Sequence, residues 1–180
     1  RHGVALVGLS ATWNMIHPDP ALRDKGFARL RVIGQQSKRM GPRLVTLCTG
    51  TRDKDDQWRH HPDNQTPAAW ADLLASMEKA VFIADAYDLV LGIEPELANV
   101  VSDAKAAKRL LDEVQSKRLG IVLDPANLFE VADSDTRRRL VEDAASLLGD
   151  RIVMAHAKDR DAQGGFVAAG RGVIDFSHFI

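Results

Sequence analysis

Three side chains that can hold a metal ion or move a proton recur at a regular interval in this 180-residue sequence. Each one follows a short apolar run, and the three are Glu94, Asp124 and His156. Asp124 lies 30 residues after Glu94, and His156 lies 32 residues after Asp124. An interval of about thirty residues is typical of one strand–helix unit in a protein with parallel strands. Neighbouring parallel strands with these ends would bring three potential metal ligands to one edge of a sheet.

Two carboxylates and one imidazole favour a divalent cation such as Mn²⁺, Mg²⁺, Co²⁺ or Zn²⁺ over a soft metal held by thiolates. A cation held in this way can polarise a carbonyl group and stabilise the enediolate that forms when a neighbouring carbon loses its proton. A carboxylate beside the cation can act as the general base, a contribution of about 10²–10⁴ in rate. The residue types therefore predict metal-assisted proton abstraction next to a carbonyl.

Each of the three residues also has a plainer interpretation. Glu94 and Asp124 could be ion-paired strand ends or helix caps, as single carboxylates at such positions often are. A lone histidine on an apolar strand is more often a satisfied core residue than a ligand, and His156 is open to that interpretation. The shared spacing favours the metal site for all three.

The surrounding pattern predicts alternating strands and helices in the order βαβαβαβαβ. Continuous apolar runs are typical of parallel strands that are buried on both faces, and they predict strands at residues 4–9, 44–49, 89–93, 120–123 and 152–155. Capping residues followed by proline or by helical periodicity predict helices after Asp19, Thr66 and Ser102, and a fourth that Gly149 ends. In the first helix the predicted buried side chains are Phe27, Leu30, Ile33 and Met40.

Such alternation produces either an open doubly wound sheet or a closed (β/α)8 barrel. The barrel is favoured because no strand leads into a G-x-G-x-x-G turn, and because the candidate residues follow the strands, where barrels build their sites. A complete barrel needs about 250 residues and eight strands. We therefore expect one partial α/β TIM-barrel domain over residues 1–180. Its open sheet edges should make a lone chain pair with a partner, a second copy being one candidate, or be poorly soluble.

Composition excludes several classes of protein. The chain carries 24 Lys and Arg against 25 Asp and Glu, so it lacks the positive surface of a nucleic-acid binder. It has neither a membrane-length apolar run nor a signal-peptide pattern. The single cysteine, Cys48, cannot form a disulfide within the chain, so we expect a cytoplasmic protein. Because it starts at Arg1 and stops at Ile180 as a new segment begins, we interpret it as part of a longer chain.

Seven segments together resemble the xylose-isomerase-like barrels of sugar phosphate isomerases and epimerases. They cover nearly the whole chain in family order, at residues 10–19, 47–52, 61–64, 93–96, 123–127, 156–159 and 170–176. The resemblance implies a divalent metal held by Glu94, Asp124 and His156, together with a last Glu on a strand beyond Ile180. It also implies that Glu94 is one of two glutamates that move the substrate proton.

The resemblance extends to a set of substrate-binding candidates near the pocket. These candidates are Asn127, Lys158, Asp159, Arg171, His61 and His17. Asn127 departs from the family, because many of its sugar epimerases carry His three residues after the Asp ligand. Arg171 can bind a phosphate or hydroxyl bidentately. The plainer alternatives are a solvated Lys158–Asp159 ion pair and two histidines on surface loops.

The predicted function is a metal-dependent isomerase or epimerase of a small sugar or sugar phosphate. One alternative is an inosose-type dehydratase that starts from the same proton abstraction. Another is an endonuclease IV-like phosphodiesterase, which uses a histidine-rich zinc cluster with ligands on the early strands. This alternative is disfavoured, because Ser10 and Thr49 stand near the ends of those strands instead, and the net charge of −1 offers no surface that follows phosphates. The last is a non-catalytic barrel fragment without the final Glu. No nucleic acid or membrane partner is expected.

Overall fold

The computed structural model describes residues 3–180, and five parallel strands form its main sheet in sequential order. The strands are β1 (Gly8–Ser10), β2 (Leu44–Leu47), β3 (Val90–Ile93), β4 (Leu119–Leu123) and β5 (Ile152–Ala155). A Cβ atom added at Gly8 would lie 3.3 Å from Cε of Met154, so the curl of the sheet brings the inner faces of β1 and β5 together. Five strands in a curled sheet with helices confirm the predicted class, an incomplete TIM barrel.

Each connection between consecutive strands contains one long helix. The helices are α1 (Pro20–Met40), α2 (Pro67–Tyr87), α3 (Ala104–Val114) and α4 (Ser134–Leu148). A side-chain oxygen caps the first turn of each helix, and the capping residues are Asp19, Thr66, Asp103 and Asp133. A short acceptor at this position satisfies one backbone N–H that the helix leaves unpaired, so the sequence itself determines where each helix starts.

The core lies between the sheet and these helices. Leu47, Leu91 and Ile121 of the central strands are fully buried. The helices contribute buried side chains at helical spacing, including Leu30, Leu73, Met77, Ala107 and Leu110. This packing holds the carboxyl ends of the strands in register. In the part of the chain that the structure describes, no helix combines the length and apolarity needed to cross a bilayer.

The first strand is shorter than the sequence predicted. The apolar run at residues 4–9 was expected to be a buried strand, but β1 starts at Gly8, and Val4 and Val7 are 80% and 75% exposed. Gly8 pairs with Leu44, the first residue of β2. The residues before Gly8 therefore have no strand residue opposite them on β2, and an apolar run without a partner cannot form a ladder.

Three smaller differences follow from packing. Met40 was predicted on the buried side of α1 but is 49% exposed, in the last turn of the helix. The second strand ends at Leu47 rather than Thr49, whose hydroxyl instead accepts the backbone N–H of Val101 at 3.1 Å. The residues after β5, where the sequence predicted no strand, contain a two-stranded antiparallel hairpin, β6 (Asp159–Arg160) and β7 (Phe166–Val167), followed by the short helix α5 (Phe176–Phe179).

Candidate metal and substrate site

Glu94, Asp124 and His156 each stand one residue beyond the end of a strand, on β3, β4 and β5 respectively. The parallel ladder extends over these residues, since Glu94 N–H donates to Leu47 O and His156 N–H donates to Leu123 O, both at 2.9 Å. One ligand atom from each of the three side chains lies within 4.8 Å of the others. His156 Nδ1 is 3.2 Å from Glu94 Oε1 and 3.5 Å from Asp124 Oδ2. The structure thus brings the three predicted residues together.

The donor set of this group fits a divalent cation. The Asp124 side chain is fully buried, and its Oδ1 accepts the Ala126 N–H at 2.9 Å. Its other oxygen, Oδ2, is buried and makes no hydrogen bond to the described residues, although Lys158 Nζ lies 3.2 Å and His156 Nδ1 3.5 Å away. Buried polar atoms normally have a partner because desolvation without one is unfavourable. A carboxylate oxygen left in this state, facing an imidazole and a second carboxylate, is suited to a cation.

A third carboxylate, Glu96, lies against the same group through Asn127. The Asn127 amide is almost fully buried, and its Nδ2 donates to Glu94 Oε1 at 2.9 Å and to Glu96 Oε1 at 2.7 Å. Lys158 Nζ lies 3.2 Å from Asp124 Oδ2 and 3.6 Å from Glu96 Oε1. We call Glu94, Glu96, Asp124, Asn127, His156 and Lys158 the site cluster.

The electrostatics of the site cluster raise the pKa of both of its glutamates. Burial raises the pKa of Glu94, the neighbouring His156 and Lys158 lower it, and the net shift is upward. Burial also raises the pKa of Glu96, against the opposing effects of Lys158 and the Asn127 hydrogen bond. A raised pKa makes each carboxylate a stronger base when it is ionised.

A cleft of about 760 Å³ opens beside the site cluster at the carboxyl edge of the sheet. Glu96 and Lys158 belong to both the cluster and the cleft wall. The rest of the wall comes from three successive strand–helix loops and the hairpin, and includes Trp58, His60, Glu130 and Phe166. Phe166 is 60% exposed, and Lys158 Nζ lies 4.7 Å from its ring centroid. The volume and lining are suited to a small polar molecule.

Two of the predicted substrate-binding residues lie elsewhere in the last segment. The Asp159 carboxylate turns away from the cleft and accepts backbone N–H groups of Arg160, Gly170, Gly172 and Ile174. Burial would raise the pKa of Asp159, but these four donors lower it below its ordinary value. Arg171 is exposed and does not line the cleft. Lys158 and Asp159 therefore do not act together: Lys158 lies at the site, and Asp159 binds backbone groups of the last segment.

The two predicted histidines are likewise outside the site cluster. His17 is buried, with Nδ1 accepting the Asp19 N–H at 2.9 Å and Nε2 lying 3.0 Å from Lys54 O. His61 Nδ1 accepts the Asp63 N–H at 3.2 Å and caps a short 3₁₀ turn. Both rings are used to hold loops in place. Trp13, in the same loop as His17, packs edge to face on Phe27 in the core.

The sequence analysis did not count Glu96 among the site residues. A usable signal was present, because residues two apart in extended backbone point to the same side, and Glu96 follows Glu94 by two residues across Pro95. Phe166 and Arg160 were also missed. Their position depends on the β6–β7 hairpin, for which the sequence carries only a glycine-rich stretch.

Comparison with protein families finds one match. A family model described as xylose isomerase-like TIM barrel matches residues 1–180. The comparison with curated proteins finds no significant match.

Solved structures share the fold at low sequence identity. D-allulose 3-epimerase from Methylomonas sp., in complex with D-allulose, is 20% identical with a TM-score of 0.71 over 96% of this chain and 56% of that one. The probable 3-DHS dehydratase AsbF from Bacillus anthracis is 12% identical, with a TM-score of 0.77 over 98% and 65%. The IolI protein with a bound zinc atom is 15% identical, with a TM-score of 0.69 over 97% and 61%. The chain thus spans less than two thirds of each structure.

Proposed function

The chain belongs to the xylose isomerase-like TIM barrel family, and from that premise we propose that it acts on a small keto-sugar as a metal-dependent isomerase or epimerase. Residues 1–180 would form one partial barrel domain. The observation that carries the proposal is the convergence of three ligand atoms within 4.8 Å around a buried carboxylate oxygen that lacks a hydrogen bond. Glu94, Asp124 and His156 would hold the cation. D-allulose in the Methylomonas structure and zinc in the IolI structure support this substrate and cofactor class.

The cation would supply Lewis-acid polarisation of the sugar carbonyl when it is bound. Glu94 would take the proton from the carbon next to that carbonyl, because its carboxylate belongs to the ligand group at the cleft and its side chain is only 13% exposed. Its Oε1 already accepts the Asn127 N–H and lies near His156, so its orientation is set before substrate arrives. Return of the proton to the neighbouring carbon would give isomerisation. Epimerisation would instead need protonation of the same carbon on its opposite face by a second acid, the role of the further Glu that the family resemblance implies.

A dehydratase acting on a cyclic polyol ketone is the second candidate. Dehydration begins with the same proton abstraction and then expels a hydroxyl group from the next carbon. Lys158 supports this alternative, since its ammonium group lines the cleft 3.6 Å from Glu96 and can protonate a leaving hydroxyl. The AsbF neighbour, a probable 3-DHS dehydratase, has the same fold. Product analysis by NMR separates the two, because dehydration releases water and leaves a carbon–carbon double bond.

The first test is calorimetric titration of metal-stripped protein with Mn²⁺. We expect one ion per wild-type chain and an affinity lowered at least about 100-fold in Glu94→Gln, since loss of one charged ligand removes several kcal/mol of attraction. Glu130→Gln is the matched control, because Glu130 lines the same cleft but has no polar contact with the described residues of the site cluster. Absence of Mn²⁺ binding by the wild type, or equal binding by Glu94→Gln, would contradict the proposal.

A further inference from the structure

We propose that Glu96 accepts a hydrogen bond from a substrate hydroxyl outside the metal-bound pair, and that Asn127 is the residue that positions Glu96 for this role. The inference rests on the proposed function, because it assigns a substrate contact within the same site. It also narrows the substrate class to keto-sugars that carry a free hydroxyl, rather than a phosphate, at the carbon facing Glu96.

The contacts of Glu96 leave one oxygen free for a ligand. Oε1 accepts the Asn127 Nδ2–H at 2.7 Å and lies 3.6 Å from Lys158 Nζ. Among residues 3–180, no protein donor forms a hydrogen bond to Oε2. Glu96 is 20% exposed and lines the cleft, whereas Asp124 is fully buried. An ionised carboxylate only accepts hydrogen bonds, so the free oxygen suits a hydroxyl donor in the cleft.

The backbone of Glu96 is held firmly enough to define the direction of its side chain. Its N–H donates to Val101 O at 3.0 Å, and its carbonyl accepts the Asn99 N–H at 2.8 Å. Asn99 in turn accepts the Gly50 N–H at 2.7 Å, which ties this loop to the preceding strand–helix loop. Ordering of a binding group before substrate arrives lowers the entropy lost on binding.

Asn127 acts through the two carboxylates rather than on the substrate. Its side chain is 1% exposed, and its amide nitrogen has two hydrogens, of which Glu94 and Glu96 each accept one. No amide hydrogen remains for a sugar. The arrangement instead fixes Glu96 beside the proposed base, so that a hydroxyl bound to Glu96 orients the carbon that loses its proton.

The charge of Glu96 predicts which substituent it selects. A hydroxyl that donates to a carboxylate makes a charge-assisted hydrogen bond, which is stronger than one between neutral groups. A phosphate at the same place would meet the Glu96 carboxylate, and like charges at close range repel. Three cations, Arg59, Lys158 and Arg160, also line the cleft and can bind an anionic group elsewhere on the substrate, so the expected exclusion of phosphate is confined to the hydroxyl that Glu96 binds.

The test compares Glu96→Ala with Glu130→Ala in Mn²⁺-loaded protein, with D-allulose as the probe. NMR relaxation of the sugar protons by Mn²⁺ measures binding, and exchange of a carbon-bound proton in D₂O measures the reaction. We expect Glu96→Ala to keep one Mn²⁺ per chain with an affinity within about tenfold of the wild type. Its KM for D-allulose should rise roughly 10- to 100-fold, the loss expected for one charged hydrogen bond, while Glu130→Ala stays within about threefold.

Asn127→Ala and the double variant Asn127→Ala/Glu96→Ala test the positioning role. If Asn127 acts through Glu96, its loss should also raise KM, and the double variant should show a KM close to that of Glu96→Ala alone. Residues that act independently would instead give multiplied effects on KM. A KM of the double variant that rises by the product of the two single effects would overturn the assignment of Asn127.

The remaining outcomes separate this inference from the proposed function. A wild type that binds no Mn²⁺ overturns both. A wild type that binds Mn²⁺ and D-allulose, with equal KM for Glu96→Ala and Glu130→Ala, overturns only the role of Glu96. A loss of Mn²⁺ affinity beyond about 100-fold in Glu96→Ala would make Glu96 a metal ligand and also overturn it. Mn²⁺ binding without any relaxation of D-allulose protons would contradict a sugar contact at Glu96.

Discussion

At the scale of single residues, the site cluster contains one charge that competes with a metal ion. Lys158 Nζ lies 3.2 Å from the Asp124 oxygen that makes no hydrogen bond, so in the metal-free protein the ammonium group partly neutralises this carboxylate. A divalent cation bound to Asp124 would be repelled by Lys158 at short range. Lys158 is 30% exposed and can move towards Glu96 and the cleft.

Lys158→Met should therefore tighten Mn²⁺ binding. Removal of a positive charge this close to the ligands should raise the affinity by roughly 10-fold, allowing for screening by solvent. Calorimetric titration of the metal-stripped variant measures the change. Lys105→Met, on the exposed surface of α3, is the control and should leave the affinity unaltered. Weaker Mn²⁺ binding in Lys158→Met would contradict this prediction and would show that Lys158 stabilises the site.

At the scale of elements, the segment after β5 is organised around Asp159. Its carboxylate accepts four backbone N–H groups and joins the hairpin to the residues that precede α5. A Cβ atom at Gly172 would lie 2.4 Å from Asp159 Oδ1, so the backbone approaches this carboxylate too closely for any larger residue. The hairpin in turn places Phe166 in the cleft wall.

Asp159→Asn should destabilise this segment in a pH-dependent way. The substitution weakens the hydrogen bonds from these backbone donors. It should lower the free energy of unfolding by about 1–3 kcal/mol near neutral pH. Because the folded-state pKa of Asp159 is lowered, its stabilisation is complete above the ordinary carboxyl pKa of about 4 and is lost as pH falls through the lowered value. Urea unfolding measures the difference in unfolding free energy between wild type and variant, and this difference should narrow from pH 7 towards pH 3. A gap independent of pH would contradict this account.

The packing of α1 on the first loop gives a second prediction at this scale. A Cβ atom at Gly26 would lie 2.2 Å from Nε1 of Trp13, whose ring packs at 5.4 Å from Phe27. Gly26→Ala should therefore lower stability by about 1–3 kcal/mol through overpacking, measured as a fall of several degrees in Tm. Gly149→Ala is the control, since nothing lies within 4 Å of its added Cβ. An unchanged Tm for Gly26→Ala would contradict the close packing.

At the scale of the whole molecule, the sheet has two open edges among the described residues. β1 pairs only with β2, and β5 pairs only with β4. Val153 of β5 is 40% exposed and contacts the positions of Gly92 and Gly120 on the same face. Unpaired backbone groups beside exposed apolar side chains favour pairing with another chain.

The 180-residue chain should consequently associate in a concentration-dependent manner. Val153→Lys places a charge beside the β5 edge and should reduce this association, since charges on edge strands oppose pairing. Sedimentation velocity over a range of protein concentrations measures the effect. Val131→Lys, at a 65% exposed position between β4 and α4, is the control and should associate like the wild type. A monomeric wild type at all concentrations would contradict the prediction.

Much of the fold could be predicted from local signals in the sequence. Apolar runs marked β2 to β5, the last three at a spacing of about thirty residues, and cap residues such as Asp19 and Thr66 marked where helices begin. These features depend on backbone hydrogen bonding and burial, which act over a few residues. The same spacing brought Glu94, Asp124 and His156 to one edge, because parallel strands in sequential order align their carboxyl ends.

The tertiary structure alone decided which nearby polar residues join that edge. His17, His61 and Asp159 bond their own loops, whereas Asn127 bridges Glu94 and Glu96, and the sequence offers similar loop contexts for all of them. A side chain's partner in a loop depends on backbone direction and on contacts between distant segments. Val4 and Val7 show the same limit, since an apolar run becomes a buried strand only where another strand lies beside it.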